Sequence, residues 1–220
     1  MSRQTVEEYL ETINTLEEME GTPVKTSSLA RFMQVSSASV SEMLHRLSEK
    51  GMVNYTPYGG VSLTEEGWQY VTKLTRRHRL WEVFLNRYLG IGWQEVYEDA
   101  CNLEHNTSDT VAEKLAQFLG RPKTCPHGSP IPYGRKPPPK IPGILLSELG
   151  IGQKARVVQV TNESNSELLN HLTELGLIPG ADLEMSEKAA FDGTLTIKIG
   201  DSTRAVSAEV ASFIKVEPTA

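Results

Sequence analysis

The sequence predicts a mainly α-helical chain with a separate small β domain at its C-terminal end. Three observations support this prediction. Apolar residues recur at helical spacing through most of residues 4–119, most of the 12 prolines fall within residues 121–143, and short strand-like runs follow. At 220 residues, with 39% hydrophobic and 23% charged residues, the chain is long enough for one large domain or for two to three small ones.

The first three elements are predicted to be helices. Residues 4–20 carry apolar side chains on one face, and Thr26–Met33 fits a short second helix. Ser36 is the predicted N-cap of a third helix, whose apolar stripe continues to the stop at Lys50-Gly51. Short helices followed by a tight turn and a longer helix predict a helix-turn-helix.

A β-hairpin follows the third helix, because MVNYTPYGGVSLT has the pattern of two strands joined by a turn at Tyr58-Gly59-Gly60. A helix-turn-helix followed by a hairpin is the element order of a winged helix. The outward face of the third helix is either a solvated surface or a DNA-binding surface, since small polar groups let a helix approach bases and phosphates. The hairpin favours DNA binding by this face, which comprises Ser36, Ser37, Ala38, Ser39, Ser41, Glu42, His45 and Arg46.

A long helix is predicted from the cap at Thr64 to Leu89. It is apolar on more than one face, so we expect it at the centre of the chain or at a subunit interface. Two further helices are predicted at about Trp93–His105 and Ser108–Leu119. Residues 121–143 have no hydrophobic period and predict a linker with little regular secondary structure.

Beyond this linker the pattern changes to short strands. The strand-like runs are ARVVQV, ADLEMSE, GTLTIKIG and STRAVSAEVASFIKV, interrupted by the helix-like stretch SELLNHLTELG and the turn Ile178-Pro179-Gly180. Several short strands in one small region predict a closed or partly open barrel.

The charge balance argues at first against nucleic acid, because the net charge is -6 and a DNA-binding protein needs a positive surface. The acidic residues, however, cluster on the first helix and within residues 95–104, where bound cations would neutralise them. The sequence shows neither a signal-peptide pattern nor an apolar run of membrane-spanning length. We therefore expect a cytoplasmic protein whose two cysteines are reduced thiols.

Potential metal ligands occur in several elements outside the predicted DNA-binding helix. His78 and Glu82 are four residues apart on the long helix and share a face. Cys101, Glu104 and His105 also share a helical face, and a thiolate, a carboxylate and an imidazole are donors suited to a transition metal.

Two more elements carry donors of the same kinds. Cys125-Pro126-His127 adds a thiol and an imidazole, and Glu8 and Glu11 add carboxylates on the first helix. Each group has a structural alternative, because a helical His/Glu pair is usually a solvated contact and a helical cysteine is usually a small core residue. Their joint occurrence favours a metal site.

Taken together, the segments EEYLETINTLEE, LARFMQVSSASVSEMLHRLSEKG, YGGVSLTEEG, RRHRLWEVFL, EVYEDACNLEHNTSD and CPHGSPIP resemble the iron- and manganese-dependent repressors of the diphtheria toxin repressor (DtxR/MntR) family. LLNHLTELGLIPG and AEVASFIKVEP look like the SH3-like (FeoA-type) barrel of its longer members. The resemblance covers essentially the whole chain. It implies a winged helix-turn-helix DNA-binding domain over residues 1–64, a helical dimerisation and metal-binding domain over 65–120, a proline-rich linker over 121–143 and an SH3-like β-barrel over 144–217.

The resemblance also implies two metal ions per subunit. One site would use Glu8, Cys101, Glu104 and His105, with Glu11 as a further ligand. The other would use His78, Glu82, Cys125 and His127, completed from the β domain by Glu163, with Asn162 as the alternative.

This ligand set departs from both branches of the family. Iron-type members have a methionine in place of Glu8 and a second helical histidine in place of Tyr97, whereas manganese-type members tend to have a carboxylate in place of Cys101. The set is therefore a hybrid. Mn(II) or Fe(II) is the expected metal, with a slight preference for Mn(II), and Co(II) or Zn(II) can substitute.

In the implied mechanism, a divalent metal connects the first helix to the dimer-forming helices and fixes the two DNA-binding domains of a homodimer on double-stranded operator DNA. Neither a membrane nor a small-molecule substrate is expected. The expected base contacts are Ser36, Ala38 and Glu42, and the expected phosphate contacts are Ser37, Ser39, Ser41, Arg46 and Tyr58.

Two other function classes compete with this interpretation. A metalloenzyme would also use Cys, His and Glu, but the sequence has no His-Glu-x-x-His motif, phosphate loop or nucleophile elbow. A metal-independent winged-helix regulator would bind its operator equally well in the presence of a chelator.

Overall fold

The computed structural model describes residues 3–134 and 141–219, so residues 135–140 of the predicted linker lie outside the described residues. The chain forms two compact units, and the boundary between them falls inside one long helix, between Arg77 and His78. No helix in the described part of the chain combines the length and apolar character needed to cross a membrane.

The first unit contains the predicted helix-turn-helix and hairpin. Its elements are α1 (Arg3–Glu20), α2 (Thr26–Met33), α3 (Ser37–Glu49), β1 (Val53–Thr56), β2 (Gly60–Leu63) and the first part of α4 (Glu65–Leu89). The predicted caps are confirmed, because the Ser36 and Thr64 side chains accept hydrogen bonds from the amides of Ser39 and Gly67. The core of this unit is formed by apolar residues that include Leu10, Ile13, Leu29, Leu44 and Leu47.

Backbone contacts fix the hairpin to the helices of the first unit. Val24 and Val61 exchange two main-chain hydrogen bonds of 2.8 and 2.9 Å. Gly60 lies beside them with φ +99°, and a Cβ atom there would be 2.6 Å from the Val24 carbonyl oxygen, so the position requires glycine. Glu17 on α1 accepts a hydrogen bond from the Leu63 amide at 3.1 Å, which connects the hairpin to α1.

The second unit contains the rest of α4 and the helices α5 (Val96–Glu104) and α6 (Asp109–Phe118). Helix α5 begins at Val96 rather than at the predicted Trp93, because a turn closed by the Glu95 amide and the Gly92 carbonyl (2.9 Å) precedes it. Ser108 caps α6 by accepting a hydrogen bond from the Val111 amide.

The C-terminal part of the second unit is a six-stranded antiparallel sheet with its own apolar core. The strands are β3 (Ile144–Leu145), β4 (Lys154–Val160), β5 (Asp182–Lys188), β6 (Leu195–Ile199), β7 (Ser202–Val206) and β8 (Ile214–Thr219), with helices α7 (Ser166–Leu175) and α8 (Ala208–Ala211). Their order across the sheet is β3-β8-β4-β5-β6-β7. A β-bulge between Val157 and Gln159 shifts the register of β4 against β8.

Two details of the sheet differ from the predicted pattern. The strand-like run STRAVSAEVASFIKV contains α8, because Ser207 caps a helical turn by accepting a hydrogen bond from the Val210 amide. Strand β3 and a 3₁₀ turn at Leu146–Glu148 precede β4 in a region that had no assigned element. The helical N-terminal regions and the separate antiparallel sheet are confirmed, while closure of the sheet into a barrel stays a prediction.

Candidate metal centre

The structure brings seven of the predicted ligands together in two groups within the second unit. The α5 cluster consists of His78, Cys101 and Glu104, and the Cys125 cluster consists of Glu82, Cys125, His127 and Glu163. Within each group, one potential ligand atom per residue lies within 4.8 Å of the others. Both groups are largely buried.

Three elements supply the Cys125 cluster. Glu82 lies on α4, Cys125 and His127 lie on the loop that follows α6, and Glu163 lies between β4 and α7. The loop has neither helix nor strand, as predicted, but it is packed inside the unit rather than extended as a spacer. The Cys125 amide donates to the Ser129 carbonyl (2.9 Å), and both side chains are buried.

Gly128 allows this loop to lie directly on strand β4. Its φ is +88°, and a Cβ atom there would be 2.0 Å from the Val158 carbonyl oxygen. The Val160 amide also donates to the His127 carbonyl (2.9 Å). Strand β4 is therefore one wall of the Cys125 cluster, and Glu163 enters the cluster shortly after the strand ends.

A main-chain acceptor determines which nitrogen of His127 carries the hydrogen. Nε2 lies 2.7 Å from the Trp93 carbonyl oxygen, and a carbonyl oxygen can only accept, so Nε2 is the protonated nitrogen of the neutral ring. The Nδ1 lone pair then faces Glu82 Oε1 (3.1 Å) and Cys125 Sγ (3.8 Å). Metal-binding histidines are oriented by outer hydrogen bonds of this kind.

Glu82 provides the clearest indication that a cation belongs in this cluster. Its side chain is fully buried, and its Oε1 lies 3.1 Å from His127 Nδ1 and 3.3 Å from His78 Nε2. With Nε2 protonated, His127 Nδ1 and Glu82 Oε1 are two acceptors in contact, and such a pair needs a proton or a metal ion between them. Two carboxylates, a thiolate and an imidazole form a donor set that fits a transition metal.

The pKa shifts in the metal-free cluster also indicate that it favours positive charge. Burial disfavours the charged ring, but the hydrogen bond and charge of Glu82 raise the pKa of His127. Burial also disfavours a charged carboxylate, yet His127 and His78 lower the pKa of Glu82. Burial, with the charges of Glu82 and Glu163, raises the pKa of the Cys125 thiol well above its usual value. Metal binding therefore has to displace protons.

The α5 cluster joins two helices. Cys101 and Glu104 are neighbours on α5, and His78 reaches them from α4 with Nδ1 at 3.0 Å from Glu104 Oε2 and 3.8 Å from Cys101 Sγ. His105 Nε2 lies 3.6 Å from Glu104 Oε1. The Tyr97 ring packs edge-on against His78 with the ring centroids 4.9 Å apart. The predicted thiolate and carboxylate thus converge with the imidazole of His78, while His105 lies beside Glu104 and outside this group, so that its role as a ligand stays a prediction.

His78 contacts both clusters. The sequence assigned it to the site of Glu82, whereas the structure groups its Nδ1 with the α5 cluster and places its Nε2 3.3 Å from Glu82 Oε1. Burial opposes a charge on the ring, but hydrogen bonds with Cys101, Glu104 and Glu82 raise the pKa of His78 well above its usual value. One imidazole therefore lies between two carboxylates that belong to different clusters.

Two further predicted ligands, Glu8 and Glu11, lie on α1 in the first unit. Glu8 is exposed, and its carboxylate accepts a hydrogen bond from Gln4 (3.0 Å). Its neighbour Glu7 is fully buried and accepts a hydrogen bond from the Tyr70 hydroxyl (2.6 Å), which connects α1 to α4. The roles of Glu8 and Glu11 as metal ligands stay predictions.

Sequence reasoning did not identify two residues that support the Cys125 cluster. Trp93 acts through its main-chain carbonyl, which no residue-type pattern can reveal. Ser129 donates its hydroxyl hydrogen to Glu163, and the only signal in the sequence was its position two residues after His127.

The predicted DNA-binding residues lie on the first unit. Helix α3 buries one stripe that includes Val40 and Leu44 and leaves the opposite face open. On this face Arg46 donates a charged hydrogen bond to Glu42, one turn earlier. Tyr58 at the tip of the hairpin is fully exposed with φ +65°. All of the predicted DNA contacts are exposed or partly exposed, namely Ser36, Ser37, Ala38, Ser39, Ser41, Glu42, Arg46 and Tyr58.

Three family profiles match successive parts of the chain. The profile described as "Iron dependent repressor, N-terminal DNA binding domain" matches residues 1–61. The one described as "Iron dependent repressor, metal binding and dimerisation domain" matches residues 64–133, and the FeoA domain profile matches residues 144–218.

Full-length relatives agree with these profiles. The iron-dependent repressor IdeR of Mycobacterium tuberculosis is 31% identical over 224 residues, which cover 97% of this chain and 96% of the relative. The diphtheria toxin repressor of Corynebacterium glutamicum is 29% identical over 223 residues, with the same coverage of 97% and 96%.

Solved structures show the same architecture. A manganese-dependent transcriptional repressor in complex with manganese superposes with a TM-score of 0.85 at 30% identity, covering 97% of this chain and 100% of that chain. The manganese regulator SloR gives a TM-score of 0.76 at 33% identity, with coverage of 97% and 98%. The chain therefore belongs to the diphtheria toxin repressor family of metal-dependent transcriptional repressors, which are DNA-binding regulators and not enzymes.

Proposed function

We propose that this protein is a repressor of metal-homeostasis genes that is activated by Mn(II) or Fe(II), with two ions bound per subunit. The observation that carries this proposal is the contact between His127 Nδ1 and Glu82 Oε1, two buried acceptors 3.1 Å apart that need a proton or a metal ion between them, within a group that also offers Cys125 and Glu163. The Cys125 cluster would hold one ion and the α5 cluster the other, with His105 beside the second.

The donor types limit the choice of metal. Carboxylate oxygens suit Mn(II), while the thiols of Cys101 and Cys125 shift the preference toward Fe(II), Co(II) or Zn(II). We favour Mn(II) slightly, because Glu8 and Glu11 would add carboxylates to the α5 cluster. The manganese-dependent repressors among the similar structures support this preference. Co(II) and Zn(II) would serve as substitutes in vitro.

The protein would act as a homodimer in the cytoplasm. On the second unit, α4 and α6 share an exposed apolar face around a cavity of about 380 Å³, lined by Trp81, Phe84, Thr110, Val111, Lys114, Leu115 and Phe118. Phe118 is 61% exposed and Val111 is 48% exposed. Contiguous exposed apolar patches often mark interaction sites, and the metal-binding and dimerisation profile covers both helices.

The α3 helices of the two subunits of the homodimer would enter successive major grooves of double-stranded operator DNA. Ser36, Ala38 and Glu42 would contact bases and Arg46 would contact phosphate, with Ser37, Ser39, Ser41 and Tyr58 as further phosphate contacts. Residues 1–64 would be the DNA-binding domain, 65–120 the dimerisation and metal-binding domain, and 144–217 an SH3-like barrel, joined by the proline-rich segment 121–143. Metal would raise operator affinity, and operator DNA would raise metal affinity by the same factor.

A binding titration tests this function. Duplexes selected from a random library by the Mn(II)-loaded protein would be titrated with Mn(II), Fe(II) or Co(II) and with chelator, and DNA binding would be measured by fluorescence anisotropy. We expect binding to appear with metal and to disappear with chelator. Glu104→Gln should abolish metal activation, whereas Ser28→Ala, a buried serine far from either cluster in sequence, should not. Chelator-independent binding would identify a metal-independent regulator, and failure to select any duplex would contradict a DNA-binding function.

A further inference from the structure

Ser129 lies between two polar side chains at the edge of the Cys125 cluster. The residue is 1% exposed. Its hydroxyl accepts a hydrogen bond from Gln159 Nε2 (2.8 Å) and donates one to Glu163 Oε1. Gln159 and Glu163 belong to the sheet region, and Ser129 belongs to the loop that carries Cys125 and His127.

The chemistry of the three groups fixes the direction of this chain of hydrogen bonds. The amide nitrogen of Gln159 only donates, so the Ser129 hydroxyl oxygen is the acceptor in that contact. The single hydroxyl hydrogen of Ser129 therefore points to Glu163, because the opposite direction would bring two donors together at Gln159. The hydrogen bond from Gln159 also polarises the hydroxyl and strengthens its donation.

This arrangement engages one of the two oxygens of a proposed metal ligand. Ser129 holds Glu163 Oε1 by a hydrogen bond that occupies one of its lone pairs, and Oε2 is the oxygen without this constraint. A carboxylate free of such a contact can bind a metal ion through both oxygens. The number of oxygen donors matters here, since additional oxygens favour Mn(II), whereas a low count leaves thiolate and imidazole dominant and favours Fe(II), Co(II) and Zn(II).

We propose that Ser129 is a positioning residue that determines metal specificity at the Cys125 cluster, by holding Glu163 as a ligand that contributes a single oxygen. The proposal rests on the proposed function of this cluster as a metal site. Ser129 acts through Glu163 and is not itself a ligand in this assignment. Loss of its hydroxyl should let Glu163 contribute its second oxygen and raise the affinity for Mn(II) relative to Co(II). Outer hydrogen-bond partners typically change metal affinity by about 10- to 100-fold when they are removed, so we expect a change of about tenfold in the ratio.

The test uses the full chain with Cys101→Ala, which leaves Cys125 as the only one of the two cysteines. Co(II) is the probe, because its absorption spectrum gives two separate readouts. A charge-transfer band reports thiolate ligation, and the ligand-field bands report the number and symmetry of the donors. In this background Ser129→Ala is compared with Ser129→Thr, which keeps the hydroxyl. Ser28→Ala is the matched control, because it removes the hydroxyl of another buried serine. Competition between Mn(II) and Co(II) gives the affinity ratio.

We expect Ser129→Ala to retain the thiolate band, to change the ligand-field bands toward a higher donor number and to shift the ratio toward Mn(II) by about tenfold. Ser129→Thr and Ser28→Ala should keep the parent spectrum and ratio. Gln159→Met removes the amide that donates to the Ser129 hydroxyl, so it should shift the affinity ratio toward Mn(II) by a smaller factor. This variant tests the hydrogen-bond chain from Gln159 through Ser129 to Glu163 even if Ser129→Ala fails to fold.

Two results would overturn the proposal, and they differ from each other. If the parent shows the thiolate band while Ser129→Ala or Gln159→Met leaves both the ligand-field bands and the metal ratio unchanged, Ser129 does not set specificity although the cluster binds metal. If the parent shows no thiolate band with excess Co(II), Cys125 does not bind the ion, and the proposed four-residue metal site of the Cys125 cluster fails together with the role of Ser129.

Discussion

The Nε2 atom of His127 lies 2.7 Å from the main-chain carbonyl oxygen of Trp93. This contact leaves Nδ1 as the acceptor that faces Glu82, and it anchors the Cys125 loop to the segment before α5. The indole nitrogen of Trp93 in turn donates to Thr173 Oγ1 on α7 (2.9 Å). One residue thus connects the Cys125 cluster with a helix of the sheet region.

The two nitrogens of His127 should be separable by mutation. His127→Gln keeps an amide group that can donate a hydrogen bond to the Trp93 carbonyl, but it removes the Nδ1 lone pair that would bind the metal ion. His127→Ala removes both groups. We expect both variants to lose most of the thermal stabilisation that Mn(II) gives the native protein. Only His127→Ala should also destabilise the metal-free protein, by about 1–3 kcal/mol, because it leaves a buried carbonyl without a donor. Thermal unfolding with chelator and with saturating Mn(II) measures both effects.

Equal metal-free stability of the two variants would show that the Trp93 carbonyl does not need this donor. Full stabilisation of His127→Gln by Mn(II) would contradict the assignment of Nδ1 as a ligand at the Cys125 cluster.

Much of the helical architecture could be predicted from the sequence, because local signals determine it. The caps at Ser36, Thr64 and Ser108 and the apolar spacing of the helices depend on neighbours a few residues away. The start of α5 at Val96 was missed, because a turn beginning at Gly92 replaces the first helical residues. This turn contacts the Cys125 loop through Trp93 and His127, which are 34 residues apart in sequence, so local signals could not reveal it.

The metal-free protein should become less stable as the pH rises from neutral to alkaline values. His78 and His127 have raised folded pKa values, so their stabilising contribution is complete below the unfolded value of about 6.5 and is lost as the pH passes through the folded values. The raised pKa of Cys125 acts in the same direction, because above about pH 8.5 the unfolded thiol releases its proton before the folded one does. Thermal unfolding in chelator between about pH 6 and about pH 9 measures the decline.

Acid should also destabilise the metal-free protein, for a different reason. The lowered pKa of Glu82 contributes stability above its unfolded value of about 4.3, and this contribution is lost as the pH falls. Glu82→Gln removes the carboxylate shared by His78 and His127. The stability of the metal-free variant should therefore fall less than that of the native protein at both acidic and alkaline pH. A melting temperature of the native metal-free protein that rises steadily into the alkaline range would contradict the assigned directions.

The stabilisation by Mn(II) should increase with pH, because metal and protons compete for the same atoms.

The grouping of the ligands was less predictable than their identity. Helical spacing placed Cys101 and Glu104 on one face, and they do converge. Spacing also paired His78 with Glu82, but it could not show that the two nitrogens of one imidazole lie beside different carboxylates. Glu163 was chosen over Asn162 through the family resemblance alone, and its place beside Cys125 and His127 depends on how the loop packs on β4.

The ion pair between Glu42 and Arg46 predicts opposite effects of two substitutions on DNA binding. Arg46→Ala should weaken binding to all sequences and lower the salt dependence by about one counterion, because it removes a phosphate contact. Glu42→Ala frees Arg46 from its partner, so it should relax base preference while strengthening binding to unrelated duplexes severalfold. Titrations of selected and scrambled duplexes at several salt concentrations, with saturating Mn(II), measure both. A change in base preference at constant salt slope for Arg46→Ala would reverse these roles.

The apolar face of α4 and α6 predicts a dimer that a single charge should disrupt. Phe118→Glu places a carboxylate on this face, and in a symmetric dimer each substitution counts twice. At about 2 kcal/mol for each buried aromatic anchor, the loss is about 4 kcal/mol, or roughly a thousandfold in Kd. Phe191→Glu is the matched control, because Phe191 is also exposed but lies outside this face, beyond β5. Sedimentation velocity should show a monomer for Phe118→Glu only, and an unchanged dimer would place the interface elsewhere.

The thiol of Cys101 should determine which metal activates the repressor through the α5 cluster. Its Sγ lies 3.8 Å from His78 Nδ1, beside the carboxylate of Glu104, so it is the one sulfur donor that the described part of the chain offers in this cluster. Cys101→Glu replaces it with oxygen and should shift activation away from Fe(II) and Co(II) toward Mn(II), because harder donors favour the harder ion.

Cys101→Ser is the matched control for this substitution, because it removes the thiolate without adding a carboxylate. It should weaken activation by Fe(II) and Co(II) without the gain for Mn(II) that is expected of Cys101→Glu. Operator affinity measured across concentrations of Mn(II), Fe(II) and Co(II) separates the two variants. Activation curves for Cys101→Glu that match those of the native protein for all three metals would mean that Cys101 packs beside the site without binding the ion.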